Sequence, residues 1–182
     1  MDGTTGTERR RLVAGVAASI CSLFGSGPIV EEAEAALTTD PVDDGVLDEV
    51  NRVRRAHGLR PLRHSVGLDR AATARSRDMA LRGYFSHTVP GTGWFSARVL
   101  PSYAAPGFRT WRLGENLFWS VRPRPSSYVV RAWLNSPPHR RLLLQPDWND
   151  AGIGAVRTTS APGYFGGRSV TIVTAEFGKL GR

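Results

Sequence analysis

Two β-strand patterns near the end of the chain constrain its fold more than any other feature of the sequence. Residues 151–158, AGIGAVRT, and residues 169–178, SVTIVTAEFG, are short and apolar, and the segment SAPGYFGG between them has the proline and glycines of a hairpin connection. Helical patterns occupy much of the chain before them. Because the helices come first and the strands last, the sequence predicts an α+β fold with an antiparallel sheet.

Three helices and a loop-rich middle are predicted before these strands. The helices are recognised by apolar residues at helical spacing, and by Gly83 and Pro137 as stop signals. Their predicted bounds are Gly45 to His57, Ser65 to Arg82, and Ser126 to Asn135. Residues 84–120 are predicted to be mostly loops, with one short helix around Phe95 to Leu100.

The first 35 residues have the organisation of a secretory signal peptide. Arg9 to Arg11 precede an uncharged stretch, Leu12 to Val30, and Ala33 to Ala35 form an A-x-A cleavage pattern. Glycines and a proline interrupt the stretch, which favours cleavage over a retained N-terminal anchor. The arginine cluster leaves both the general and the twin-arginine export routes open. We therefore predict a signal peptide at residues 1–35, a linker at 36–44, a folded domain at 45–182, and a secreted or surface-associated protein.

Charge and cysteine content limit the chemistry of the exported part. Cleavage after Ala35 removes Cys21, the only cysteine, and with it disulfides and thiolate chemistry. From residue 36 onward there are 21 Lys+Arg and 11 Asp+Glu, a net charge of +10. Such a chain associates with anionic surfaces such as phospholipid headgroups or acidic wall polymers. Because the arginines are scattered, a genome that uses arginine in place of lysine is the simpler explanation of this charge. We expect a monomer with no nucleic-acid partner.

Most catalytic signatures are absent from the sequence. It has no GxSxG nucleophile turn, no phosphate-binding Gly-Lys loop, no GxGxxG after a strand and no HExxH. The segment DWNDAGIG opens like a calcium loop, but Thr158 stands where the bidentate carboxylate belongs. These observations exclude the commonest hydrolase, nucleotide-binding and calcium-binding motifs.

Two histidines and one acid are the candidate site residues. His87 and His139 lie in non-periodic segments among aromatic or apolar residues, GYFSHTVP and SPPHRRLLL, whereas the other two histidines lie near helix ends among arginines. Glu115 stands between apolar runs in RLGENLFW, so it needs a partner. That partner is either an arginine or a histidine whose tautomer the carboxylate fixes. From spacing alone, structural histidines are the simpler explanation.

The same segments, taken in order, resemble the CAP superfamily (cysteine-rich secretory proteins, antigen 5 and pathogenesis-related proteins class 1) in its bacterial, disulfide-free branch. The matching pieces are LDEVNRVRRAHGLRPL, GYFSH, LGENLFWS, VVRAWLNSPPHRRLLL, DAGIGAV and a final AEFG, over about Val46 to Gly178. The resemblance implies a three-layer α-β-α sandwich with a central antiparallel sheet. It also implies that His87, Glu115 and His139 converge in one open cleft.

The resemblance further implies a possible metal site. In many members two histidines and two acids of this cleft take up a divalent metal such as zinc. Here His87 and His139 would be the ligands, while Ser136 stands at the position that we align with the second acid. Two imidazoles with one acid or water would hold zinc weakly. Pro138 and Leu142 replace the glycine and asparagine that are usual in bacterial members.

Three functions are compatible with these features. The first is a secreted, non-catalytic binding module, because family members of this kind include binders of sterols, fatty acids and other lipids. Its ligand would be an unidentified small molecule or lipid, with an anionic surface or wall polymer as a further partner. The second is a structural or wall-associated domain with a vestigial cleft. The third is a metal-assisted hydrolase of peptide or cell-wall material, with Glu115 as general base for a bound water. We rank the three in this order.

Overall fold

The computed structural model describes residues 6–11, 37–89, 96–104 and 106–182. The predicted cleavage site at Ala35 and most of the predicted signal peptide lie outside these residues, so the signal peptide stays a prediction. Within the described residues, no helix combines the length and the apolar character that crossing a membrane requires.

The described residues form six β-strands and five α-helices. In chain order they are β1 (Gly6–Arg11), β2 (Leu37–Thr39), α1 (Asp43–Ala56), β3 (Arg63–His64), α2 (Val66–Arg82), α3 (Ser96–Tyr103), β4 (Thr110–Ser120), α4 (Ser126–Asn135), α5 (Pro137–Leu143), β5 (Asp150–Ala161) and β6 (Arg168–Gly181). The predicted helices and the two predicted strands are all present, with ends that differ by a few residues.

The strands form one sheet in the order β1-β4-β6-β5-β2. Every neighbouring pair along this path is antiparallel, and β3 adds a two-residue parallel pairing to β5. The long β5–β6 hairpin lies at the centre, as its apolar sequence predicts. The antiparallel sheet of the predicted α+β class is confirmed.

Helices cover both faces of this sheet. On one face α1, α4 and α5 pack against odd-numbered residues of β5 and β6, such as Ile153 and Val173. On the other face α2 and α3 bury Leu68, Val99 and their neighbours against the sheet. Because successive strand residues point to opposite faces, each strand contributes to both layers of the core. The three-layer α-β-α sandwich is therefore confirmed.

Strand β4 lies in the region that the sequence analysis assigned mostly to loops. Residues 113–117 are buried on both faces of the sheet, so no alternation of apolar and polar residues marks them as a strand. Gly114 and the charged Glu115 interrupt the apolar run further. The prediction of loops at residues 110–120 was therefore wrong, and the correction places Glu115 inside the sheet.

The segment predicted to be a linker, residues 36–44, is also corrected. Strand β2 pairs with β5, and α1 begins at Asp43. Asp40 is buried between them, where its side chain accepts a hydrogen bond from the Thr171 hydroxyl at 2.7 Å. Residues 37–43 thus belong to the folded unit, because a buried carboxylate and a strand pairing fix them to the sheet.

Candidate functional site

His87 lies in the loop that follows α2, close to the end of the sheet. Gly83 ends the helix in the left-handed conformation, with φ of 67°, and its N–H bonds to the Met79 carbonyl at 3.0 Å. A side chain at residue 83 would meet the Pro162 carbonyl oxygen at 2.6 Å, so glycine is required there for two reasons. This turn directs residues 84–87 back across the sheet towards β4.

The buried Glu115 carboxylate contacts both kinds of partner that the sequence analysis left open. His87 Nδ1 lies 2.6 Å from Glu115 Oε1, and Arg75 Nε donates to Glu115 Oε2 at 3.2 Å. Since an ionised carboxylate only accepts, the imidazole carries its proton on Nδ1. Its Nε2 lone pair is then directed away from the carboxylate. Glu115 thus fixes the tautomer and orientation of His87.

Arg75 holds the His87 loop to helix α2. Its guanidinium, which has no solvent exposure, also donates to the Tyr84 hydroxyl at 2.6 Å and to the Ser86 carbonyl. The Tyr84 hydroxyl in turn donates to Asp78, and burial together with this bond raises the pKa of Tyr84. One arginine therefore joins the helix, the loop and the strand that carry the candidate site.

A second acid, Glu176, lies beside Glu115. The two residues pair across β4 and β6, and both are buried on the face that α2 covers. Burial, followed by the charge of Glu115, raises the pKa of Glu176 well above its ordinary value. The surroundings therefore favour the protonated form of Glu176, which lies beside the Glu115 carboxylate that Arg75 contacts.

His139 comes from the other helical layer, in the first turn of α5. Pro137 occupies the first helical position, where a missing N–H is tolerated. The buried Asn116, on β4, donates from Nδ2 to the His139 carbonyl at 3.2 Å. Burial, and then the charge of His87, lower the pKa of His139 to about 4. The His139 imidazole is therefore neutral near pH 7.

An apolar groove lies beside these histidines. It has a volume of about 170 Å³ and is lined mainly by aromatic and aliphatic side chains, with Ser136 and His139 as its polar members. Its aromatic members are Phe85, Phe118, Trp119, Tyr128, Trp133 and Tyr164. The groove follows β4 beyond Glu115, along Leu117 to Trp119. It therefore runs between the two helical layers at the edge of the sheet.

The walls of the groove are packed against one another. Phe85 stacks on Tyr164 with 6.0 Å between ring centroids, and Trp119 makes an edge contact with Tyr164 at 5.8 Å. On the other wall, the Trp133 indole N–H donates to the Leu117 carbonyl at 3.0 Å. That bond occupies a carbonyl of β4, so the groove here presents apolar surface rather than an open strand edge. The lining is largely pre-formed.

The four predicted site residues occupy three different environments. Ser136 and His139 line the groove, Glu115 is fully buried in β4, and His87 contacts Glu115 with a side chain that is 12% exposed. The sequence analysis missed Arg75 and Glu176. A signal for Arg75 exists in the sequence, because it falls at helical spacing on the buried stripe of α2 with Leu68, Ala72 and Met79.

In this arrangement few side chains are free to hold the metal that the resemblance implies. Both Glu115 oxygens are engaged, by Arg75 and His87, so the available donors are two imidazoles. Among the described residues, no three or more His, Cys, Asp or Glu side chains are grouped so that they could hold a metal ion. Zinc uptake by His87 and His139 stays a prediction. Calorimetric titration of the wild type against the His87→Ala/His139→Ala variant tests it.

The low pKa of His139 predicts how stability depends on pH. The unfolded chain takes up a proton at this imidazole near pH 6.5, whereas the folded protein does so only near pH 4. The free energy of unfolding should therefore fall on acidification, by about 2 kcal/mol from this residue between pH 7 and pH 5. Urea unfolding of the wild type and His139→Gln at both pH values measures it. If the free energy of unfolding fell equally in the wild type and His139→Gln, His139 would not be the source of the pH dependence. The control is His57→Gln, which alters an exposed histidine and should keep the pH dependence of the wild type.

Comparison with known protein families gives one match over most of the chain. The profile of the cysteine-rich secretory protein (CAP) family matches residues 47–175. The chain is 32% identical over 115 residues to the uncharacterized protein YkwD of Bacillus subtilis. These residues are 63% of this chain but 42% of YkwD, so the chain spans less than half of that relative.

Two solved structures share the fold. An outer surface protein from Borrelia burgdorferi superposes with a TM-score of 0.63 at 24% identity, covering 79% of this chain and 96% of that one. An extracellular protein containing an SCP domain from Bacillus anthracis gives a TM-score of 0.56 at 24% identity, covering 84% of this chain and 44% of that one. At this identity the likeness concerns the fold alone.

Proposed function

The chain belongs to the cysteine-rich secretory protein (CAP) family, and we propose that it is a non-catalytic extracellular binding module whose groove takes up an apolar ligand. The observation that carries this proposal is the groove itself, with six aromatic side chains and two polar ones. Sites that bind small molecules are concave, mostly apolar and equipped with few polar groups, as this groove is.

The polar groups beside the groove hold the two histidines in place rather than activate a water molecule. The Glu115 carboxylate orients His87, and serving as a general base towards water would require it to give up one of its two contacts. His139 is neutral near pH 7 and is held through its main chain by Asn116. A metal-assisted hydrolase therefore has less support from the geometry than a binding module.

Export of the protein is part of this proposal. The predicted signal peptide motivates it, and two proteins of similar fold are named as an outer surface protein and an extracellular protein. N-terminal sequencing of protein recovered from the culture medium tests the proposal. A mature end at residue 36 supports cleavage after Ala35, whereas absence of the protein from medium and cell surface would contradict export.

Filling the groove should abolish binding of an apolar ligand. Ala132 lines the groove from α4 and is partly exposed, so phenylalanine there projects into the groove without replacing a core residue. We expect Ala132→Phe to weaken binding of the neutral fluorescent probe N-phenyl-1-naphthylamine by about tenfold or more. The measurement is a fluorescence titration of the purified protein.

A matched control comes from the end of α1. Ala56 is exposed and is not among the groove residues, so Ala56→Phe makes the same chemical change on another helix. It should bind the probe as the wild type does. Equal probe affinity in Ala132→Phe and Ala56→Phe, with both proteins folded, would contradict binding in the groove.

A further inference from the structure

Arginines border the apolar groove at two of its aromatic residues. The Arg124 guanidinium carbon lies 4.4 Å from the centre of the Tyr128 ring, and that of Arg131 lies 5.5 Å from it. At the opposite wall, the Arg168 guanidinium lies 5.2 Å from the Trp119 ring centre. Stacking on an aromatic face leaves the N–H groups at the edge of a guanidinium free to bind an anion.

The positive charge at this rim is not neutralised within the described residues. None of the three arginines forms an ion pair there with an acid. The chain from residue 116 to residue 146 carries five arginines and no acidic residue. Arg168 Nε donates to the Phe165 carbonyl, whereas the buried Arg124 Nε has no acceptor and none of the three guanidinium groups has an acidic partner among the described residues. The rim therefore offers positive charge and N–H donors to an anion.

The size of the groove limits what enters it. Its volume of about 170 Å³ is smaller than the roughly 300–1,000 Å³ of pockets that enclose whole small molecules. An alkyl chain or the end of one fits such a space, while the rest of the molecule stays outside. Because the described lining residues are mainly apolar and none of them is charged near pH 7, the charged part of the ligand belongs at the rim.

From these observations we propose that the ligand is an amphiphile with one apolar chain and an anionic head group, carboxylate or phosphate. The chain enters the aromatic groove, and the head group binds the guanidinium groups of Arg124, Arg131 and Arg168. This inference rests on the proposed function, because it requires the groove to be the binding site. It adds the charge and the position of the head group.

Four ligands of defined chemistry separate the parts of this proposal. Dodecyl phosphate and dodecanoate carry the anionic head, dodecanol has the same chain without charge, and inorganic phosphate has the charge without the chain. Below micelle-forming concentrations, we expect both anionic amphiphiles to bind about tenfold more tightly than dodecanol. Inorganic phosphate should bind much more weakly than any of the three. Competition with the neutral probe gives the affinities of the three chains, and calorimetric titration gives that of inorganic phosphate.

Substitution of two rim arginines tests the head-group site separately from the groove. The Arg124→Gln/Arg131→Gln variant should lose about tenfold in affinity for the anionic amphiphiles, with dodecanol binding unchanged. Its binding should also depend less on salt, because fewer charges contact the head group. The exposed Arg70→Gln, on the opposite helical layer, is the matched control and should behave like the wild type.

The outcomes distinguish failure of the charged head-group site from failure of the apolar groove. Equal affinity for dodecanol and the anionic amphiphiles, unaffected by the arginine substitutions, would overturn the charged head-group site and leave the apolar groove standing. Absence of binding by all three chains would overturn the proposed function as well. Inorganic phosphate binding as tightly as dodecyl phosphate would identify an anion site independent of the groove and so contradict the inference.

Discussion

Replacing Arg75 by methionine should lower the free energy of unfolding by about 3–5 kcal/mol. The guanidinium is fully buried and faces the buried Glu115 and Glu176 pair, on which its charge acts more strongly than that of Arg98. Without it, the Glu115 carboxylate stays buried beside His87 and Glu176 with no guanidinium contact, and the Tyr84 hydroxyl and Ser86 carbonyl lose their donor. Methionine has a similar length, so the loss reflects charge and hydrogen bonding more than volume.

Urea unfolding measures this change against two further variants. Arg77→Met alters an exposed arginine on the same helix and should change stability by less than about 0.5 kcal/mol. The double variant Arg75→Met/Glu115→Gln removes the unpaired charge and should recover part of the loss. If Arg75→Met were as stable as Arg77→Met, Arg75 could not be the residue that holds the site together.

Replacing Gly154 by alanine should lower the free energy of unfolding by about 3 kcal/mol, at the upper end of what overpacking causes. A Cβ at this position of β5 would lie 2.1 Å from the Thr73 nitrogen and 2.4 Å from the Ala72 carbonyl carbon. Both atoms belong to the main chain of α2, so no side-chain rotation relieves the clash. The helix that carries Arg75 would have to move away from the sheet.

A glycine in another helix is the matched control for that substitution. A Cβ at Gly45, in α1, would approach only the Ser126 side chain, with its hydroxyl oxygen at 2.5 Å. That side chain can rotate, and alanine favours a helix by about 1 kcal/mol over glycine. Gly45→Ala should therefore keep stability within about 1 kcal/mol of the wild type. Similar effects of both substitutions on unfolding would show that α2 does not pack on β5 as closely as described.

The elements with regular periodicity could be predicted from the sequence. The β5–β6 hairpin has apolar strands around a glycine-rich connection, and α2 has a serine at its start and Gly83 at its end. Strand β4 could not be found in this way. It is buried on both faces and contains Gly114 and Glu115, so it has neither alternation nor a continuous apolar run. Its place in the sheet depends on partners that are distant in the sequence.

The candidate site, like the fold, could be predicted from the sequence only in part. The choice of His87, Glu115 and His139 came from their apolar surroundings and from the family resemblance, and the structure brings His87 into contact with Glu115. Local sequence does not show that Arg75 would take the second Glu115 oxygen, because that contact joins residues 40 positions apart. The groove is likewise a product of packing, since its walls come from β4, α4 and the turn containing Tyr164.

We expect an apolar chain to bind along β4 beyond Glu115, between Trp119 on one side and Ala132 on the other. NMR titration of the isotope-labelled protein with dodecanol, followed through backbone amide and indole N–H signals, tests this claim most directly. We expect saturable shifts centred on Leu117 to Trp119, Ser136 and Tyr164, and their loss in Ala132→Phe. Saturable shifts centred elsewhere, for example on the polar recess at Arg60 and Asn149, or no shifts at all, would contradict it.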